Sequence, residues 1–440
     1  MKKYRNIFFS LLLISASSNL FAIDLQQVAE LAFVQDVKLR IARSNLDAIR
    51  YTLPQATSAM RPQVNLGANA TYIDSQNSLL PNDKLTTGGY SLSLQQSLYN
   101  RKISAQVGVA DANIQKAETE LKVAEQELLL RVTEAYFNIL SAQDNVTFAQ
   151  AEKVAISRQL EQARKRFEVG LIAITDVKEA QASYDSSLSL EILAVNGLDN
   201  SLEALSVIIG SPLSEALAPL GEELNLQILR SDNNWIEQAQ QFNLNILSAQ
   251  ATLQAANQNR KIAKSDNGPT VNFIASYAGN NIDSDIYGYS DNNDLMFSVQ
   301  LNVPLYTGGR TRSTISKAEA DYTTAQNNVL LQKRLASQQT RTAYLAVVSG
   351  IGQVNALKQV LASSQAALEA TEAGFNVGTR TSVDVLNSLR NTYGARRDFA
   401  SARYNYLINT LKLKQAAGLL KVQDLQVINQ WLHTNNSAES

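Results

Sequence analysis

Few residues in this chain could do bond-making chemistry, and their placement argues against it. The one histidine, His433, sits in a polar C-terminal tail, with no serine–histidine pair near a strand turn. There is no cysteine, which excludes a disulfide framework, a thiolate metal site and a thiol nucleophile. No phosphate-cradling glycine loop and no metal-ligand cluster is present, and Asp and Glu are spread along helical patterns where charge is ordinarily the wet face. No cofactor, no metal and no enzymatic activity are expected. One matched pair of acids stands apart. Asp176 follows Gly170 and Asp384 follows Gly378, each where one long helical pattern ends and the next begins. A glycine there permits the left-handed residue that ends a helix. A carboxylate near the start of the returning helix offsets its dipole and can cap it. The chemistry on offer is fixed charge at two equivalent turns.

Those turns belong to two copies of one unit. Arg61-Pro62-Gln63-Val64-Asn65 returns as Gly268-Pro269-Thr270-Val271-Asn272, and Ser97-Leu98-Tyr99 as Pro304-Leu305-Tyr306, both at an offset of 207 residues. One residue is inserted at Gly308-Gly309, and the offset of 208 then carries Glu134-Ala135-Tyr136 to Thr342-Ala343-Tyr344 and Phe167-Glu168-Val169-Gly170 to Phe375-Asn376-Val377-Gly378. A single-residue slip over the whole body marks an internal duplication. The first copy is expected over 23–210: a helix, strands at about 64–73 and 90–99, a long helix over 101–168, a tip turn at 169–175 and a helix over 176–209. A linker at 211–233 leads to the second copy over 234–420, with strands at about 270–280 and 295–306, a long helix over 308–376, a turn at 377–381 and a helix over 382–417. Residues 421–440 read as a polar tail, partly disordered at its end.

Residues 1–22 read as a secretory signal peptide, with Lys2, Lys3 and Arg5 ahead of a short apolar core from Ile7 to Ile14. Cleavage after Ala22 or after Ser18 fits. The net charge of −1 becomes −4 without that segment, which loses three cations and no acid. With no basic patch either, nucleic acid is not an expected partner.

The long helices are free of proline; all seven prolines lie outside 101–209 and 308–417. From Ile103 a seam of apolar or small residues runs through Val107, Ala110, Ile114, Ala117, Leu121, Ala124 and Leu128, alternating steps of four and three. An extra residue before Val132 is a stutter, which relaxes left-handed supercoiling. The alanine-rich seam allows close side-by-side packing, and suits a wall of helices around a lumen as well as a solid coiled coil. The strands have period two. Val64, Leu66, Ala68, Ala70 and Tyr72 alternate with polar or glycine residues, and Leu295, Phe297, Val299, Leu301 and Val303 alternate with Ser298, Gln300 and Asn302 from Phe297 on. Four such segments in matched pairs carry the pattern of a transmembrane barrel, and the acidic stretch 281–294 and the polar 73–89 read as extracellular loops. Tyr99 and Tyr306 fall where an interfacial aromatic belt would lie. Four strands cannot close a barrel, and an open edge in lipid leaves unpaired backbone groups. Two chains would give eight strands with a filled interior, three would give twelve with room for water. Gly67, Asn69, Ser93, Ser276 and Ser298 on the inward face favour twelve.

Residues 169–177 (Val-Gly-Leu-Ile-Ala-Ile-Thr-Asp-Val), 377–385 (Val-Gly-Thr-Arg-Thr-Ser-Val-Asp-Val) and 402–409 (Ala-Arg-Tyr-Asn-Tyr-Leu-Ile-Asn) resemble the TolC-type outer-membrane efflux channels, and the resemblance covers essentially the whole mature chain. It implies a homotrimer whose 12-strand transmembrane β-barrel, four strands per chain, continues into a long periplasmic α-helical barrel. It implies an exit duct for efflux or type I secretion, a periplasmic adaptor, an inner-membrane transporter and surrounding outer-membrane lipid as partners. It further implies a closing iris at the tip, involving Thr175, Asp176, Phe375, Arg380, Asp384 and Asn387, and adaptor docking at the turns Gly170, Leu171, Gly378 and Thr379. In the family Asp176's position bonds an arginine, kept here as Arg380, and a tyrosine, which here is Phe375 and has no hydroxyl. The family's two constricting aspartates correspond to Asp384 and to Asn387, so one carboxylate ring is expected, with pKa values raised by mutual repulsion. The rival reading is a non-conducting coiled-coil scaffold or adhesin.

Overall fold

The computed structural model describes residues 22–75, 83–213, 215–221, 224, 226 and 232–432. All of the signal-peptide reading except Ala22 lies outside the described residues, as do His433 and the last part of the tail. Three short helices, α1 (Leu25–Gln35), α2 (Val37–Arg50) and α3 (Thr52–Ser58), lead into β1 (Gln63–Ser75) and β2 (Asp83–Tyr99), then α4 (Arg101–Glu168) and α5 (Ile174–Ile209). The order repeats as α6 (Asp232–Phe242), α7 (Leu244–Ser265), β3 (Thr270–Ser284), β4 (Gly288–Asn302), α8 (Arg310–Asn376) and α9 (Ser382–Ala416), followed by α10 (Val422–Asn429).

The four strands form one antiparallel sheet in the order β1-β2-β3-β4, so the two copies meet at the central β2–β3 pair. The register sorts the side chains. Val64, Leu94, Ala275 and Phe297 form one cross-strand row, and Leu66, Leu92, Tyr277 and Leu295 another, both on the apolar face. The intervening rows, such as Asn65, Ser93, Ser276 and Met296, are mostly polar. The ladder runs further than the alternation. Much of 73–89 and 281–294, expected as loop, is paired strand, and β3 reverses into β4 over residues 285–287 alone. Backbone pairing does not need apolar side chains, so Thr86, Asn280 and Asn292 extend the sheet beyond its greasy band. The reversal is held by the Ser284 hydroxyl, which accepts from the Ile286 and Tyr287 N–H groups, and by Gly288 at φ 78°. At its other end β4 stops at Asn302 rather than 306, because Pro304 has no N–H to give the ladder. Helix α8 likewise starts at Arg310 rather than 308, since Gly308 and Gly309 both hold positive φ.

Helices α4 and α8, of 68 and 67 residues, each span roughly 100 Å at about 1.5 Å per residue. Each folds back through a tip turn, onto α5 and α9 respectively. By length and composition α5 and α8 could cross a bilayer, but they run as the arms of these hairpins. Their outward aliphatics, including Ile192 and Leu193 on α5 and Leu330 and Leu331 on α8, have no cover within one chain.

The main core lies midway along the helices. Tyr136, Phe137, Leu128, Leu39, Leu407 and Leu411 are fully buried there. The segment 216–221 is gripped from both ends of the chain: Ile23 pairs with Leu217, and Leu220 with Leu432. The Tyr136 hydroxyl donates to the Ala218 carbonyl at 2.8 Å. Part of the expected polar tail is therefore core. Leu425, Ile428 and Leu432, at helical spacing, are buried among polar neighbours that face out. Asp36 locks the N-terminal helices onto α4. It caps α2 through the Leu39 N–H at 2.7 Å and takes both guanidinium nitrogens of Arg131 at 3.0 and 3.1 Å. Asp36→Ala removes the cap and leaves Arg131 uncompensated. The expected loss is about 2–4 kcal/mol, read as a lower melting temperature of the assembled protein, with Asp36→Asn recovering part of it. An unchanged melting temperature in Asp36→Ala would show that the pair contributes nothing.

Candidate functional site at the helical tip

The two tip turns share a backbone and differ in their side chains. In the first, Gly170 sits at φ 78° and the Leu171 N–H reaches back to the Arg166 carbonyl at 2.9 Å. In the second, Gly378 sits at φ 80° and the Thr379 N–H reaches the Gly374 carbonyl at 2.9 Å. A side chain at either glycine would be forced into the left-handed region. Leu171 and Val377, at 72% and 77% exposure, project from the ends, and Gly170, Gly378 and Thr379 are exposed beside them.

The returning helices are capped unequally. Thr381 and Asp384 form a reciprocal capping box on α9: the Asp384 carboxylate accepts from the Thr381 N–H and hydroxyl, both at 2.9 Å, and the Asp384 N–H donates to the Thr381 hydroxyl at 3.2 Å. These bonds, with the nearby charge of Arg380, hold the Asp384 carboxyl below the ordinary carboxylate range. Within one chain this is opposite to the shift expected from repulsion around an axis. The capping contribution is therefore complete above the usual aspartate pKa of ~3.9 and is lost only as the pH falls below it. Helix α5 begins after Ala173, whose side chain cannot cap. Asp176 lies in the first turn of α5, where it offsets the dipole, and among the described residues its carboxylate has neither a hydrogen bond nor an ion pair. Thr175, Arg380 and Asn387 are exposed.

Phe375 is buried against Val385 and Leu389, and the Arg166 guanidinium lies 4.2 Å from its ring centre. This contact joins α4 of the first copy to α8 of the second. Residues the sequence reading missed continue that seam along α4 and α9. Arg397 donates to Glu152 at 2.9 Å, and the Glu152 side chain is only 3% exposed. The Tyr404 hydroxyl donates to Asp144 at 2.7 Å while its ring stacks on Phe137. Burial raises the Asp144 carboxyl above its usual value, although Tyr404 and Arg403 pull it down. Leu386 of α9 docks among Ile156, Leu160, Ala163 and Ala180 of the first hairpin. The structure thus gathers Phe375, Arg380 and Asp384 on one hairpin and Thr175 and Asp176 on the other. Within one chain Arg380 makes no ion pair with Asp176; its charge falls on Asp384.

A sheet with one apolar face and two open edges, running into helical hairpins of this length, defines an outer-membrane channel subunit. The chain belongs to the outer membrane efflux protein family, whose pattern matches residues 28–211 and again 235–419. It is 38% identical over 436 residues to the outer membrane protein TolC of Vibrio cholerae serotype O1, covering 98% of this chain and 99% of that protein. It is 33% identical to TolC of Escherichia coli K12, covering 98% of this chain and 90% of that one. Its fold matches that of CusC with a TM-score of 0.77 at 18% identity, over 90% of this chain and 93% of CusC. The protein is an outer-membrane channel with the fold of the trimeric barrel-and-tunnel exit ducts, a family of conduits and not of enzymes.

The Arg166–Phe375 contact carries about 0.5–2 kcal/mol and spans the two hairpins. Arg166→Gln should broaden and lengthen the distance between spin labels at residues 171 and 379, measured by double electron–electron resonance, and Arg166→Lys should restore part of it. Superimposable distributions would show that the contact does not hold the hairpins together.

Proposed function

We propose that three copies of this chain form the passive exit duct of an efflux or type I secretion machine, shut at its periplasmic tip by an iris of helical hairpins. The observation that carries the reading is the unequal engagement of the tip acids. Asp384 is consumed by capping its own helix, whereas among the described residues Asp176 has no hydrogen-bond or ion-pair partner, and the exposed Arg380 makes no ion pair although its charge acts on Asp384. A neighbouring chain supplies the missing contact, with Arg380 reaching across to Asp176 beside Thr175. A periplasmic adaptor docks on the projecting turns at Gly170, Leu171, Gly378 and Thr379. An inner-membrane transporter supplies the energy, since the sequence carries no nucleotide-binding motif.

Opening then means breaking the contacts between chains at the tip while the α4–α9 seam within each chain stays closed. Phe375 has no hydroxyl to add to this closure, so one net hydrogen bond, about 0.5–1.5 kcal/mol, is absent. In single-channel recordings Phe375→Tyr should lengthen closed dwells several-fold relative to wild type; dwell times that do not lengthen would refute this account of closure. Below the iris, Asp384 and Asn387 leave one ring of three carboxylates around the axis, which attracts cations. Asp384→Ala should reduce cation selectivity and block by divalent cations, measured as reversal potential and blocked current in planar bilayers. Unchanged selectivity would refute the ring, and absence of any conductance from purified trimers would favour a scaffold instead of a duct.

A further inference from the structure

Positive charge gathers where the sheet turns into helix. Arg101 opens α4, and Lys261 and Lys264 stand in the last turns of α7. With Tyr99, Ser104 and Gln258 they line a cleft of about 480 Å³. Tyr99 fixes which way the cleft faces. A bulge after Ser97 sets Tyr99 opposite Val271, itself opposite Leu301, so Tyr99 joins the apolar row that meets hydrocarbon. The cleft therefore opens outward at the level of the periplasmic leaflet's headgroups.

The nearby acids are already committed. Asp266 is held by Lys102 at 3.0 Å, and Glu319 is shared between Lys264 at 2.9 Å and Arg260 at 3.3 Å. Arg101 and Lys261 are exposed and, among the described residues, have no ion pair. Lys261 and Lys264 suit the C-terminal end of α7, but Arg101 stands at the N-terminal end of α4, where the helix dipole repels a cation. Helix propensity gives no reason to put it there; an external anion does. The opposite end of the sheet carries Asp74, Asp283, Asp285, Asp291 and Asp294 against Lys84 alone. The basic residues are thus segregated to the end that faces the periplasmic leaflet.

We propose that this cleft binds the phosphate of an anionic phospholipid, with Arg101 and Lys261 on the phosphodiester and Tyr99 at the boundary of headgroup and acyl chain. Lipid held there would fix the depth of the barrel in the bilayer and seat the junction of barrel and tunnel. The inference needs only the outer-membrane location and is independent of what the duct carries.

Native mass spectrometry of the intact assembly tests it, with equimolar phosphatidylglycerol and phosphatidylcholine supplied in detergent. Wild type should retain phosphatidylglycerol in preference to phosphatidylcholine. The double variant Arg101→Gln, Lys261→Gln should retain about tenfold less, with the oligomer intact in the same spectrum and conductance unchanged, while Arg101→Lys should retain it as wild type does. Equal retention of the two lipids by wild type, undiminished retention by the double variant, or displacement by equimolar inorganic phosphate would each overturn the proposal. Loss of conductance with phosphatidylglycerol binding intact would count against the duct and in favour of the cleft.

Discussion

Hydrocarbon offers no partner to a backbone N–H or C=O group, and this protein is shaped by that one constraint. Its sheet leaves β1 and β4 each with an unpaired edge, beside a face where Leu66 is 78% exposed. Each unpaired group in lipid costs several kcal/mol, so the edges must close on those of other chains. The helices make a parallel demand in water. Ile192 and Leu193 of α5 and Leu330 and Leu331 of α8 are left bare by the single chain, and neighbours in a ring would cover them. Because β2 and β4 lead into α4 and α8 within a few residues, the symmetry that closes the sheet also arranges the helices into a hollow wall.

Periodicity made most of this legible. Absence of proline over two long stretches gave α4 and α8, and period-two alternation gave the strands and their lipid face. Alternation failed where the sheet leaves the membrane, because Thr86, Asn280 and Asn292 pair through their backbones while their side chains look like loop. The tail misled for the converse reason: three buried apolar residues, Leu425, Ile428 and Leu432, are diluted by polar neighbours. At the tip, glycine followed by an acid marked both turns, and family resemblance supplied the roles proposed for Phe375, Arg380 and Asn387. Neither could tell a carboxylate spent on a cap from one left free, since that depends on Thr381 in one turn and Ala173 in the other. The seam was invisible to pattern reading. Glu152 and Arg397 lie 245 residues apart, and each is one more charge on a helix until the fold brings them together.

That seam also shows what duplication left unequal. The offset of 208 carries Glu152 to Val360, Asp144 to Gly352 and Arg166 to Gly374, and carries Ser189 to Arg397 and Asn196 to Tyr404. The Glu152–Arg397 and Asp144–Tyr404 bonds that tie α4 to α9, and the Arg166–Phe375 contact that ties α4 to α8, therefore have apolar, small or unmatched residues at the equivalent positions of the other copy. The backbone repeats while the cohesion does not: the seam within each chain is charged and stacked, and the equivalent residues of the other copy offer no such pairs. Breaking a buried pair such as Glu152–Arg397 by separating its partners costs several kcal/mol, whereas sliding small residues past one another costs little. In the closure proposed above, a ring built this way would yield at three places rather than six, each chain moving as one piece with both of its hairpins. The unengaged Asp176 lies on the yielding side. The inter-chain ion pair proposed for it would be exposed and therefore weak, which would suit a releasable latch in a way that the buried seam does not.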